Sequence, residues 1–265
     1  MRAPIACTLA LALCSLSLSA AAKPVAEPIS WNHGGTDFDG VLVYDDGSKE
    51  KRPGLVMVPN WYGVNDEAIA KAQQIAGDDY VILVVDMYGR GVRPANADEA
   101  GKASGAVYAD PDALRGRIKR ALGVLEATAA RAPLDVERLG GIGFCFGGAI
   151  VLDLARSGAN VDGVVAFHSN LATQRPAEAG AVKAAVLALN GADDYFVSAE
   201  QRAGFEKEMR DAGADWQSVD FGGALHCFTE ASEDGIKLPG CKYDERAAKR
   251  SFVMMESFFD ERFGD

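Results

Sequence analysis

Six residues, Gly143-Phe144-Cys145-Phe146-Gly147-Gly148, set a cysteine between the apolar run Leu139-Gly140-Gly141-Ile142 and the helix-like Ala149-Ile150-Val151-Leu152-Asp153-Leu154-Ala155. G-x-C-x-G in that setting predicts a tight turn from a strand into a helix. Its central residue is strained, and the glycines are needed because a Cβ would strike neighbouring backbone. Such a turn lifts Cys145 above the strand end. The helix behind it aims free N–H groups and the positive end of its dipole at the sulfur, which favours thiolate, the form that attacks carbonyl carbon. The plain alternative is a buried cysteine in a glycine-rich turn, because the motif alone recurs in unrelated chains.

A thiolate nucleophile needs a base, an acid to orient that base, and donors for the oxyanion that develops. Backbone N–H groups serve as such donors; the residue after the nucleophile, Phe146, supplies one, and Trp61 in the loop Asn60-Trp61-Tyr62-Gly63-Val64 supplies the other. The segment from Gly191 to Val197 reads G-x-x-D-x-x-V, which makes Asp194 the acid and Asp193 its neighbour. Downstream, Gly222-Gly223-Ala224-Leu225-His226-Cys227-Phe228-Thr229 puts His226 in a glycine-led loop. The chain order nucleophile, acid, histidine is far more specific than any one motif. His168, after another apolar run, is the rival base or a pocket-lining side chain, and His33 reads as a surface residue. Arg90 and Arg93 follow the run ending at Val85 and can offer an anionic substrate a planar fork of donors, or stand simply as surface arginines.

These residues need a scaffold that brings strand ends together. Gly54 to Pro59, Tyr80 to Val85, Leu139 to Phe144, Gly163 to Phe167 and Ala185 to Leu189 are apolar without alternation, the mark of strands covered on both faces. Trp216 to Phe221 adds a later strand. Val41 to Tyr44 reads as part of an edge hairpin or as an early antiparallel strand, ending at Asp45-Asp46-Gly47 after a polar, glycine-rich stretch. Helical patterns fall at 66–77, 112–131, 148–157, 198–212 and 244–262. The alternation predicts an α/β chain, a doubly wound and mostly parallel sheet with helices on both faces, whose ligands gather beyond the carboxyl ends of the strands.

The 265 residues suffice for one large domain. Met1-Arg2, the apolar run from Ile5 to Leu18 and Ser19-Ala20-Ala21-Ala22 have the form of an export signal, leaving residues 23–265 as a single domain that is periplasmic or secreted, with no membrane anchor. The net charge of −11 becomes one unit more negative when Arg2 leaves with the signal. An acidic surface argues against nucleic acid as partner. Of five cysteines, Cys7 and Cys14 fall in the signal, and Cys145 belongs to the turn. Cys227 and Cys241 are then the natural pair for a disulfide in an oxidising compartment, the alternative being two buried thiols.

Taken together, Gly143 to Gly148, Asn60-Trp61-Tyr62-Gly63-Val64-Asn65, Asp86-Met87-Tyr88-Gly89-Arg90, Gly191 to Val197 and His226-Cys227-Phe228-Thr229 resemble the dienelactone hydrolases (carboxymethylenebutenolidases), over roughly Gly35 to Phe263. The resemblance implies an α/β-hydrolase fold and hydrolysis of a small ester or lactone by a Cys-Asp-His triad, with no metal or cofactor. It makes Cys145 the nucleophile, Asp194 the orienting acid, His226 the base and Arg90 a substrate carboxylate clamp. The chain departs from the family pattern twice. Asn60 replaces a glutamate beside the oxyanion loop, and an amide cannot take a proton at neutral pH. Glu230 replaces a substrate-clamping arginine, and a carboxylate at the mouth would repel an anionic substrate. The same triad also suits an acyltransferase or thioesterase, and a retired scaffold would serve as an exported binding protein.

Overall fold

The computed structural model describes residues 24–233, 235 and 238–264. The segment read as an export signal, residues 1–22, lies outside them. Among the described residues the strands are β1 (Pro24–His33), β2 (Thr36–Asp45), β3 (Arg52–Val58), β4 (Val81–Val84), β5 (Leu134–Phe144), β6 (Gly163–Phe167), β7 (Ala185–Gly191) and β8 (Trp216–Phe221). The helices are α1 (Asp66–Ala76), α2 (Ala97–Tyr108), α3 (Pro111–Ala127), α4 (Phe146–Arg156), α5 (Ala199–Ala212) and α6 (Glu245–Phe263). One sheet runs β1-β2-β4-β3-β5-β6-β7-β8. Only β1 with β2 and β2 with β4 pair antiparallel; the rest pair in parallel.

The non-alternating runs are the buried centre of that sheet. Every residue of β3 is buried, and its side chains go to both faces: Val56 and Val58 join a core with Ile118 of α3 and Ile150 of α4, whereas Leu55 and Met57 join one with Ala72 of α1 and Phe259 of α6. Each fully buried side chain of this size contributes about 1.5–3 kcal/mol. Helix α4 is buried along its whole length, and it is apolar on every face save for Asp153 and Arg156, each held in an ion pair.

Two features depart from the sequence reading. The stretch before residue 41 is not a polar lead-in; β1 and β2 form a hairpin around Gly34 and Gly35, whose φ of 58° and 80° suit a two-residue turn closing on the His33–Thr36 pair. Strand β1 lies at the sheet edge, so Trp31 is the one residue in it that is buried. Helix α2 was not expected, because it is rich in alanine and glycine and carries little apolar periodicity. Its start is nonetheless marked in the sequence by Asn96, whose side chain accepts from the Glu99 N–H.

Candidate active site

The cysteine turn joins β5 to α4 at the carboxyl rim of the sheet. Cys145 sits at φ 54° and ψ −114°, a conformation costly for any residue with a side chain. Backbone packs too closely here for flanking side chains: a Cβ on Gly143 would lie 2.1 Å from the Gly147 carbonyl oxygen, and one on Gly147 would lie 2.0 Å from that of Val58. The Cys145 N–H donates to the Phe167 carbonyl of β6 at 3.0 Å, which locks the turn onto the neighbouring strand. The thiol is free and half-buried, at the N-terminus of α4.

The loops after β7 and β8 deliver the other two groups. Gly191 is the point of contact, since a Cβ there would meet the Ala224 carbonyl oxygen at 2.3 Å, and the Asp193 N–H donates to that same oxygen at 3.0 Å. Asp194 is 3% exposed and accepts from the Nδ1–H of His226 at 2.7 Å, while Asp193 is exposed. The other ring nitrogen of His226, Nε2, lies 3.1 Å from Cys145 Sγ. Burial pulls the His226 imidazolium down, but the Cys145 sulfur and the Asp194 carboxylate more than offset it, and the ring is pushed up to about 10. Behind it, Cys227 and Cys241 form a disulfide with Cα atoms 4.9 Å apart, and the Lys242 N–H donates to the His226 carbonyl at 2.9 Å.

Trp61 rides on a turn after β3 that its neighbours hold. The Asn60 side chain accepts from the Tyr62 N–H at 3.0 Å, the Asn60 carbonyl accepts from the Gly63 N–H at 2.9 Å, and the Tyr88 hydroxyl donates to the Trp61 carbonyl at 2.8 Å. Tyr88 is itself placed by Asp86, which accepts its N–H at 2.9 Å. Among the described residues the N–H groups of Trp61 and Phe146 enter none of the main-chain hydrogen bonds of turns, loops and caps.

A cavity of about 300 Å³ opens above the sulfur, lined by Cys145, His226, Trp61, Phe146, Tyr108, Ser104, Asn170, Phe196, Gln201, Cys227 and Leu238. Among the described residues no arginine, lysine or carboxylate lines it. Ser104 and Tyr108 come from α2, the helix that the apolar pattern did not reveal; the tyrosine hydroxyl is raised by burial first and by the Cys145 charge second. Phe196 (45% exposed) and its neighbour Tyr195 (62% exposed), in the same loop as Asp194, form an aromatic edge.

Five expectations change. Arg90 does not reach the cavity: its guanidinium is exposed and spent on Asp39, at 2.9 and 3.1 Å, and on Asp37 at 3.1 Å. Arg93 is likewise turned to Asp86 and the Asp39 carbonyl. His168 is no pocket wall, because it is fully buried and bonded through Nε2 to Thr229 Oγ1 at 2.7 Å. Glu230 is not at the mouth; it is buried and paired with Lys71 at 2.8 Å. Asn60 faces that ion pair across a small gap with Phe144 and Pro59, not the cavity.

The sequence profile of the Dienelactone hydrolase family matches residues 38–263. The chain belongs to that family. A dienelactone hydrolase-like promiscuous phosphotriesterase from metagenomic libraries has the same fold at a TM-score of 0.84 and 33% identity, over 90% of this chain and 98% of that one. A dienelactone hydrolase of Anabaena variabilis aligns at 0.66 and 18% identity, over 90% of this chain and 98% of that one, which speaks for the fold alone. An uncharacterised Caenorhabditis elegans protein is 32% identical over 154 residues, 57% of this chain and 94% of its own length. This dienelactone hydrolase family member is therefore a hydrolase on an α/β-hydrolase fold, with Cys145 beside His226 and His226 paired to Asp194.

Proposed function

We propose that the chain hydrolyses small uncharged esters or lactones through a Cys145–His226–Asp194 triad. The observation that carries the reading is the pair of contacts on one imidazole, Nε2 to Cys145 Sγ and Nδ1 to Asp194 Oδ2. In this mechanism the Cys145 thiolate adds to the acyl carbon, and the carbonyl electrons move onto oxygen, where the N–H groups of Trp61 and Phe146 receive them. Each such donor is worth on the order of 3 kcal/mol in the transition state. As the tetrahedral species collapses, the carbon–oxygen bond to the alcohol breaks and His226 gives its proton to the departing alkoxide. Neutral His226 then takes a proton from water, which attacks the thioester and returns the sulfur as thiolate. Asp194 keeps the imidazole in the tautomer that points Nε2 at sulfur and stabilises the imidazolium.

The lack of a lining cation among the described residues supports uncharged substrates, since a carboxylate in the cavity would lose water with no ion partner from them. An uncharged aryl phosphotriester is a second substrate class, favoured by the likeness to the metagenomic phosphotriesterase; in this chain the Cys145 thiolate would attack phosphorus, and the phosphorus–oxygen bond to the aryl group would break, the aryl oxide leaving. Export of the mature chain is part of this reading and is supported by the disulfide, which persists in oxidising compartments. The test is hydrolysis of p-nitrophenyl acetate, an uncharged lactone and an aryl phosphotriester by wild type and Cys145→Ala. Turnover of the first two by wild type alone supports the proposal, and equal turnover by both proteins overturns it.

A further inference from the structure

We infer that His168 is a positioning residue for His226, holding the histidine loop through Thr229 and backing the imidazole with its own ring. The inference rests on the triad reading above. His168 caps β6 at φ 37°, an unfavourable conformation for a residue with a side chain, and its N–H donates to the Leu189 carbonyl of β7 at 2.8 Å. From there one ring meets three residues of the loop. It stands edge-to-face on His226 with centroids 5.2 Å apart and edge-to-face on Phe228 at 5.3 Å, and its Nε2 shares the 2.7 Å hydrogen bond with Thr229.

Packing alone does not account for a histidine at this place. A phenylalanine ring fills the same space without leaving Nδ1 buried and unpartnered, as it is here, at a cost of about 1–3 kcal/mol. The bond to Thr229 is what the imidazole supplies and a phenyl ring cannot. The ring also stays uncharged beside a cationic His226: burial first, then His226 and Lys71, hold it well below the usual histidine range. The Glu230 carboxylate lies 3.7 Å from Nε2 and is taken by Lys71. His226 is thus fixed by Asp194 at Nδ1 and by the His168–Thr229 pair behind its ring, which leaves Nε2 on the sulfur.

The experiment compares His168→Phe, His168→Gln, Thr229→Val and the double variant His168→Phe/Thr229→Val. It measures p-nitrophenyl acetate hydrolysis and the rate at which iodoacetamide alkylates Cys145. Loss of the bond from either side should lower kcat about tenfold with KM within about twofold of wild type, and should slow alkylation. His168→Gln, which keeps a donor near the Nε2 position, should recover most of the loss, and the double variant should be no worse than the poorer single one. Unchanged kcat and alkylation in Thr229→Val, a change confined to KM, or additive losses in the double variant would overturn the inference. If His168→Phe fails to fold, Thr229→Val and His168→Gln decide it. If wild type hydrolyses no ester, the proposed ester hydrolysis falls and the alkylation rates alone judge the role of His168.

Discussion

The Nε2 of His226 lies 3.1 Å from the Sγ of Cys145 across 81 residues of chain. The contact exists because β5, β7 and β8 run parallel and end on one rim, so the loops after them meet there. In the proposed mechanism a base at that distance takes the thiol proton directly, and the half-buried sulfur gains a cationic partner in return.

Asp194 and Asp193 are adjacent in sequence but differ in what they touch. Asp194→Asn leaves the fold in place and the wrong tautomer on His226, so kcat for ester hydrolysis should fall on the order of 10³–10⁴-fold. Asp193→Asn alters an exposed side chain and should change kcat less than about twofold. Steady-state kinetics of the two variants check this, and equal losses would contradict the assignment of the acid.

The pH behaviour of His226 follows from its neighbours. Its folded-state value is raised from 6.5 to about 10, so its protonation stabilises the fold fully below about pH 6.5, and that contribution is lost as pH rises towards 10. An NMR titration should show the imidazole protonating near pH 10 in wild type and at a lower pH in Cys145→Ala, which lacks the sulfur charge. The melting-temperature gap between wild type and His226→Gln should shrink over the same interval. A midpoint that Cys145→Ala leaves unchanged would show that the sulfur does not hold the proton on the ring.

The disulfide closes a loop of sequence separation 14 immediately after His226. Replacing Cys227 and Cys241 by alanine should cost about 3 kcal/mol of stability. The same variant should lower kcat, because the loop that carries His226 and Leu238 loses its tie. Denaturant unfolding and ester kinetics on the double variant measure both; unaltered stability would mean that the loop is held by its other contacts.

Glu230 and Lys71 form a buried pair, so the carboxylate is a structural partner and no gatekeeper. Glu230→Arg sets a second cation against Lys71 and should destabilise the protein by about 3–5 kcal/mol. It should bring no gain in kcat/KM for an anionic lactone over an uncharged ester. A preference shifted towards the anionic lactone would return Glu230 to the cavity.

Much of this was legible in the sequence, for reasons that particular residues make plain. Gly143 and Gly147 announce the turn because only glycine fits where they sit, and the order Cys145, Asp194, His226 follows from the order of parallel strands. The pairing of Cys227 with Cys241 followed by elimination. Side-chain direction was not legible: Arg90 precedes a short loop that folds back on Asp37 and Asp39 of the β1–β2 hairpin, and nothing local in the sequence tells which way it turns. His168 and Glu230 were misplaced for the same reason, since burial depends on α1 and on the 228–230 segment packing from elsewhere in the chain. Tyr108 and Ser104 escaped notice with α2, whose only strong local signal is the Asn96 cap.

The most direct test of the account is the covalent intermediate. Wild type mixed with p-nitrophenyl acetate, quenched in acid within the first turnover and digested, should carry one acetyl group on the peptide containing Cys145, and Cys145→Ala should carry none and turn over no ester. An acetyl group on any other residue, or hydrolysis by Cys145→Ala at the wild-type rate, would contradict a thiolate nucleophile at this turn.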